Sequence, residues 1–274
     1  MKSFFFGALI IISFSIKAQP SQLPDLGSYA ILAQAGGFSG SGFYMFDSSY
    51  ASFYFITAAH VLANPQTKVF YSDSLYLVSY RENSQKDRKD RLRISLSNAY
   101  RRGKLLIDHT LDVAVLKLAN VVSNLIDYDS SVTKISQYGT RLISFPTVAI
   151  KSLSDIITLR EIYTVGYPKS LSLASNFDYD RPLVRKGIVS GIDLQKRKII
   201  GDLPVYQGNS GGVVFEFSFL EPSPKIIGVV SQFVPFQERW KNEAYNYYNT
   251  NVYNSGYAVI VPIDEVMRFI NQLR

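Results

Sequence analysis

Phe53-Tyr54-Phe55-Ile56-Thr57-Ala58-Ala59-His60 is an apolar run that narrows to small residues and ends on a histidine. Four large apolar side chains in succession read as a strand buried on both faces. Ala58 and Ala59 leave room for an imidazole to pack over the strand end. A second run, Asp112-Val113-Ala114-Val115-Leu116, opens with a carboxylate at the mouth of an apolar strand. That placement is costly unless a donor hydrogen-bonds the carboxylate, and a histidine N–H is such a donor. A third segment, Gly208-Asn209-Ser210-Gly211-Gly212, sets a serine between glycines. Glycine lets the backbone turn so that the amides of Gly208 and Ser210 can point into one small cavity.

Outward from these segments the chain alternates short apolar stretches with turn residues and shows no convincing helix between them. Tyr29–Ala33, Val69–Tyr80, Leu105–Ile107, Ile162–Val165, Lys198–Ile200, Val213–Phe217 and Ile226–Val230 all read as strands. This pattern indicates an all-β antiparallel barrel or sandwich. The charged stretch Arg81–Arg93 is expected to be a loop, Val121–Tyr138 a link between two halves, and the Tyr- and Asn-rich stretch Trp240–Tyr253 a loop decorating one end. Pro262 to Ile270 has apolar residues at helical spacing behind a proline, which predicts one C-terminal α-helix.

The 274 residues are 47% apolar and 19% charged, an ordinary globular composition, and 19 tyrosines with 18 phenylalanines favour strands. Lys2 followed by the apolar run Phe4–Ile16 and the small residue Ala18 reads as an export signal over residues 1–18. The run is too short to span a bilayer, so no membrane span is expected after cleavage, and the mature protein is expected in the periplasm or secreted. There is no cysteine, which excludes a disulfide framework and a lipidated-cysteine anchor. Of the formal charge of +7, much is local to Lys86–Arg93 and Arg101–Lys104. The interspersed aspartates make a solvated surface the better reading, and no nucleic-acid partner is expected.

A serine hydroxyl is a poor nucleophile without a base, a carboxylate to orient that base, and amides to hold an oxyanion. The chain supplies all of these in the order His60, Asp112, Ser210. His109 competes with His60 but lies in an apparent loop, and Asp108 competes with Asp112 but lies outside the apolar run. Two well-separated histidines without cysteine supply few metal ligands, so neither a metal nor a cofactor is expected.

Together these residues resemble the trypsin-like, chymotrypsin-fold serine peptidases, in particular the bacterial peptidase domains related to HtrA proteases. The resemblance runs from about Gly40 to Ile270. It rests on Ser41-Gly42-Phe43, Thr57-Ala58-Ala59-His60, Asp112–Leu116, Gly166-Tyr167-Pro168, Gly187-Ile188-Val189-Ser190, Gly208–Gly212 and Gly228-Val229-Val230-Ser231, in family order. It implies two packed six-stranded antiparallel β-barrels, here 19–135 with His60 and Asp112 and 136–274 with Ser210 and the C-terminal helix. It further implies a serine endopeptidase working through an acyl-enzyme, with Gly208 and Ser210 amides as oxyanion hole and Ser231 hydrogen-bonded to Asp112 while walling the substrate cleft.

The primary specificity position of the family falls on Pro204, which carries no charge; Asp202 lies two residues away. Gln232 and Phe233 follow Ser231, and Phe233 is expected to narrow the pocket. A small or medium uncharged side chain before the cut is therefore expected. Asn209 stands where the digestive enzymes carry an activating aspartate, so the site is expected to form without zymogen cleavage. No PDZ domain is expected. A protein or peptide substrate is the expected partner; the alternatives are an esterase using the same trio, or a non-catalytic binder using Trp240–Tyr253.

Overall fold

A computed structural model of the chain describes residues 26–80, 89–136, 142–169, 181–217 and 224–274. The export-signal reading over residues 1–18 falls outside the described residues.

The first half is a curled ten-stranded sheet. Its centre is β1 (Ala30–Ala35), β2 (Phe38–Asp47), β3 (Ser52–Thr57) and β7 (Val113–Val122), flanked by β4 (Ser74–Tyr80), β5 (Lys89–Ser95), β6 (Leu105–Asp108), β8 (Leu125–Tyr128), β9 (Val132–Lys134) and β10 (Ser144–Pro146). Two short helices interrupt it, α1 (Ala59–Leu62) and α2 (Leu96–Arg101). The second half is a closed barrel of β11 (Glu161–Gly166), β12 (Leu183–Asp193), β13 (Lys198–Asp202), β16 (Tyr247–Pro262), β15 (Lys225–Asn242) and β14 (Val213–Glu216). The expected six-stranded barrel is thus present as such in the second half, while the first half is a larger curled sheet. In both halves nearly all pairings are antiparallel; β10 pairs with β2 in parallel.

The central strands are apolar on both faces because each face meets a different core. Ile31, Ala33, Tyr44, Phe55, Ala114 and Leu116 point into a cluster inside the first half. Their alternate neighbours Ala30, Leu32, Phe43, Met45, Tyr54, Ile56, Val113 and Val115 join Val165, Phe215 and Val229 of the second half in another. A side-chain period of two therefore sorts one continuous apolar run into an inner core and an interface core. A third cluster, with Ile162, Val189, Ile199 and Ile260, fills the barrel.

The predicted C-terminal helix is α3 (Ile263–Leu273), whose Ile263, Val266, Phe269, Ile270 and Leu273 enter the interface core. Asp264 in its first turn accepts hydrogen bonds from Ser152 Oγ at 2.8 Å and the Leu153 N–H at 2.9 Å. A carboxylate there also suits the positive end of the helix.

Three expectations change. Val121–Tyr138 is not a link: β8 folds back on β7 and β9 pairs with β5, so the segment up to Lys134 belongs to the first sheet. Lys89–Ser95, the described end of the charged stretch, is a strand paired with β4 rather than a loop. Its alternation buries Leu92 and Ile94 and turns Arg91 and Arg93 outward, a pattern that charge density hides. Trp240–Tyr253 is not a loop but the outer part of a long β15–β16 hairpin, paired from Pro235↔Asn254 to Asn242↔Tyr247. Its aromatic and β-branched residues favour strands, but they face solvent and do not mark a core.

Candidate active site

β3 delivers His60 on the single turn of α1 that follows it. The β6–β7 connection brings Asp112 against it. Asp112 Oδ2 lies 2.8 Å from His60 Nδ1, and Oδ1 accepts the His60 backbone N–H at 3.0 Å. Ser231 on β15 donates its hydroxyl to Asp112 Oδ2 at 2.6 Å. An ionised carboxylate can only accept, so the proton sits on Nδ1 and Nε2 is left as the basic nitrogen. The two side chains keep 33% and 19% of their exposure, so the pair is neither deeply buried nor fully solvated.

Asp112 adopts φ +65°, a left-handed conformation that aspartate tolerates better than most residues. Several contacts hold it there. Its own N–H donates to the Asp108 carbonyl at 2.9 Å. Asp108 Oδ1 accepts the N–H groups of Thr110 and Leu111, each at 2.9 Å. Asp108, the competing carboxylate, is therefore the residue that builds the turn. From the second barrel, Lys198 Nζ donates to the Leu111 carbonyl at 2.8 Å. Burial pulls the Lys198 ammonium below its usual pKa, against the opposing attraction of Asp112, Asp108 and Glu265. His109 lies in the same turn, with a buried Nδ1 that has no hydrogen-bond partner among the described residues; it is not among the residues lining the cleft.

Ser210 sits on the turn between β13 and β14. Ser41 of β2 holds that turn across the two halves. Its N–H donates to the Ser210 carbonyl at 2.8 Å and its hydroxyl to the Gly208 carbonyl at 2.6 Å. The same hydroxyl accepts the Tyr167 N–H at 2.9 Å, and Thr57 Oγ1 donates to the Ser41 carbonyl at 2.7 Å. Gly208 and Gly211 are required here, with φ +95° and +85°. A Cβ on Gly211 would lie 2.1 Å from the Ser41 carbonyl oxygen and 2.3 Å from Thr57 Oγ1. Gly211→Ala is accordingly expected to destabilise the protein by about 2–4 kcal/mol, through a clash plus backbone strain. Thermal denaturation should show this as a fall in Tm of about 5–12 °C; an unchanged Tm would mean that the turn yields freely.

Two amides in this turn are oriented by their neighbours. The Gln207 carbonyl accepts the Lys169 N–H at 2.7 Å and the Asn209 carbonyl accepts the Gly212 N–H at 2.9 Å. In a trans peptide the N–H points opposite to the C=O, so the Gly208 and Ser210 N–H groups face away from those partners. Asn209 is fully buried, and its Oδ1 accepts the Tyr206 N–H at 3.0 Å, bracing the turn from within.

His60, Gly208 and Ser210 line one cleft of about 350 Å³ together with Val205, Tyr206, Val230, Gln232 and Phe233. No hydrogen bond joins Ser210 Oγ to His60 among the described residues; such contacts commonly tighten only when substrate is present. Pro204, half-buried, does not line this cleft, whereas the next residue, Val205, does. Ser231 also stays out of the lining, being buried against Asp112. The role of Ser41 was missed in the sequence: its local pattern is that of any strand serine, and only the approach of the Ser210 turn reveals the bridge.

A family model described as a trypsin-like peptidase domain matches residues 40–218. Solved structures of proteases resemble the chain over most of its length. The structure of a Glu endopeptidase in complex with MPD shares 14% identity with a TM-score of 0.50, covering 90% of this chain and 91% of that one. The Rv3671c protease of M. tuberculosis in its inactive form shares 13% with a TM-score of 0.46, over 90% and 89%. The HtrA-type protease AlgW with a tripeptide shares 15% with a TM-score of 0.49, over 90% and 60%. No curated protein matches the chain.

Proposed function

Because the chain belongs to the trypsin-like peptidase domain family and is a serine-type endopeptidase, we propose that it cleaves peptide bonds through an acyl-enzyme on Ser210. The observation that carries this reading is the Asp112 carboxylate at 2.8 Å from His60 Nδ1, in a cleft that His60 shares with Ser210. Ser210 Oγ attacks the scissile carbonyl carbon while its proton passes to His60 Nε2. The oxyanion that forms is met by the Gly208 and Ser210 N–H groups. Collapse of the intermediate breaks the C–N bond, and His60 returns the proton to the departing amine. Water then repeats the sequence on the acyl-enzyme. Asp112 stabilises the imidazolium throughout, and Ser231 with the His60 N–H holds Asp112 in place.

Asn209 is consistent with a site formed without an activating N-terminal amine, since its side chain already closes on the Tyr206 N–H. Val205, Tyr206, Val230, Gln232 and Phe233 of the cleft lining carry no charge, while Lys169, which bears an ammonium group, lines the same cleft. A small or medium uncharged side chain before the cut fits the five uncharged residues of this lining. Export by the Phe4–Ile16 segment would place the enzyme outside the cytoplasm. No described helix is long and apolar enough to cross a membrane.

A fluorophosphonate probe should label Ser210, and the purified protein should degrade an unfolded protein substrate. Cleavage sites in a peptide library should carry uncharged residues before the cut. Absence of both labelling and proteolysis would overturn the peptidase reading; a profile dominated by Arg or Lys would overturn the specificity.

A further inference from the structure

The β15–β16 hairpin presents a row of aromatic rings to solvent. Phe236, Trp240, Tyr247 and Tyr253 are 57%, 46%, 56% and 49% exposed. Opposite residues of an antiparallel pair share a face, and the register pairs Phe236 with Tyr253, Trp240 with Asn249, and Asn242 with Tyr247. The rings touch accordingly: Phe236 stacks on Tyr253 with centroids 6.5 Å apart, and Trp240 meets Tyr247 edge-on at 6.2 Å. These four rings form one aromatic face.

The same hairpin grows directly out of the cleft. Within β15, Ser231 bonds Asp112, Gln232 and Phe233 line the cleft, and the strand continues to Asn242 through two register shifts, at Val230/Gln232 and Phe233/Pro235. Among the described residues its outer edge is open. β14 pairs with β15 only as far as Val229, and among the described residues Gln232–Asn242 pair with β16 alone. An open edge offers unpaired N–H and C=O groups to an extended chain. The regularly paired part of that edge, from Phe236 to Asn242, runs roughly 20 Å; before it the register shifts, Pro235 lacks an N–H and the Val234 carbonyl accepts the Ser255 hydroxyl. Glu238 and Glu243 balance Arg239 and Lys241, so nothing in the hairpin selects a ligand by charge.

We infer that this hairpin is a substrate-docking arm, taking an extended, unfolded polypeptide flank beyond the residues held in the cleft. Open backbone groups give sequence-tolerant pairing, and the aromatic face takes apolar side chains of the flank. The inference rests on the endopeptidase reading, but its test does not require turnover. Trp240 is the only tryptophan in the chain, so its emission reports on the arm alone.

The test titrates Ser210→Ala protein with two unfolded peptides that share one cleavable core, one of about four residues and one flanked by about ten more on each side. The long peptide should shift Trp240 emission saturably and bind at least tenfold tighter than the short one, which should leave emission unchanged. The paired variant Phe236→Ser, Tyr253→Ser should remove most of that advantage and keep wild-type binding of the short peptide. Equal binding of both peptides, or an advantage untouched by the variant, would overturn the arm. A shift that follows protein concentration without peptide would instead assign the face to a second copy of the chain. Absence of both fluorophosphonate labelling and proteolysis in the parent protein, with an intact emission shift in Ser210→Ala, would sink the peptidase reading and spare the arm.

Discussion

Ser210→Ala is expected to lower kcat/KM for a peptide substrate by about 10⁶. The loss should be chemical, because the fold does not lean on this hydroxyl. The contacts that hold the turn use the Ser210 carbonyl, the Gly208 carbonyl and the Asn209 side chain. Removing Oγ leaves each of these in place, and Ala tolerates the same backbone. The variant should therefore melt within about 2 °C of the parent, since no buried partner loses its hydrogen bond. Progress curves on a fluorogenic peptide, paired with thermal denaturation, check both halves. A variant that still turns over within a hundredfold of the parent would remove Ser210 from the chemistry.

Asp112→Asn should lower kcat by about 10⁴. Asp112 now accepts from three donors: the His60 ring at Nδ1, the His60 N–H and the Ser231 hydroxyl. An amide has one oxygen to accept with and an NH₂ that can only donate. If the NH₂ faces the ring, Nδ1 must become the acceptor and the proton moves to Nε2. The base then faces Ser210 with the wrong nitrogen protonated. Asn suits a left-handed backbone as well as Asp does, so φ +65° at this position does not penalise the change. Asp112→Asn thus separates catalysis from folding, whereas alanine at the same position would add strain. Steady-state kinetics with an ester and a peptide substrate measure it; retention of activity within tenfold would exclude Asp112 as the orienting carboxylate.

The β class of the fold was legible because its signal is local. Short apolar runs bounded by Gly, Asn and Pro specify strands and turns wherever they fall, and a proline followed by helical spacing marked α3. The candidate site was legible for a related reason. Glycines around Ser210 and a carboxylate opening an apolar strand are local anomalies that ordinary packing does not explain. Surface elements escaped. The Trp240–Tyr253 stretch reads as a loop because its strands carry no buried face, so the usual contrast of apolar and polar positions is missing. Lys89–Ser95 was masked by charge on its solvent side, and Val121–Tyr138 by its shortness.

By itself the sequence determined the fold class, the proposed trio of His60, Asp112 and Ser210, and the need for glycine at 208 and 211. Each depends on what one side chain or one backbone position can do. Only the tertiary structure showed that Asp108 builds the turn on which Asp112 sits. It alone placed the Ser41 hydroxyl under the Ser210 turn, kept Pro204 out of the cleft lining, and carried β15 from the cleft into an exposed hairpin. The Ser41 bridge depends on strands that meet across more than a hundred residues, as Ser41 and Gly208 do. Pairing at that distance is set by the whole core, and no short stretch of the chain encodes it.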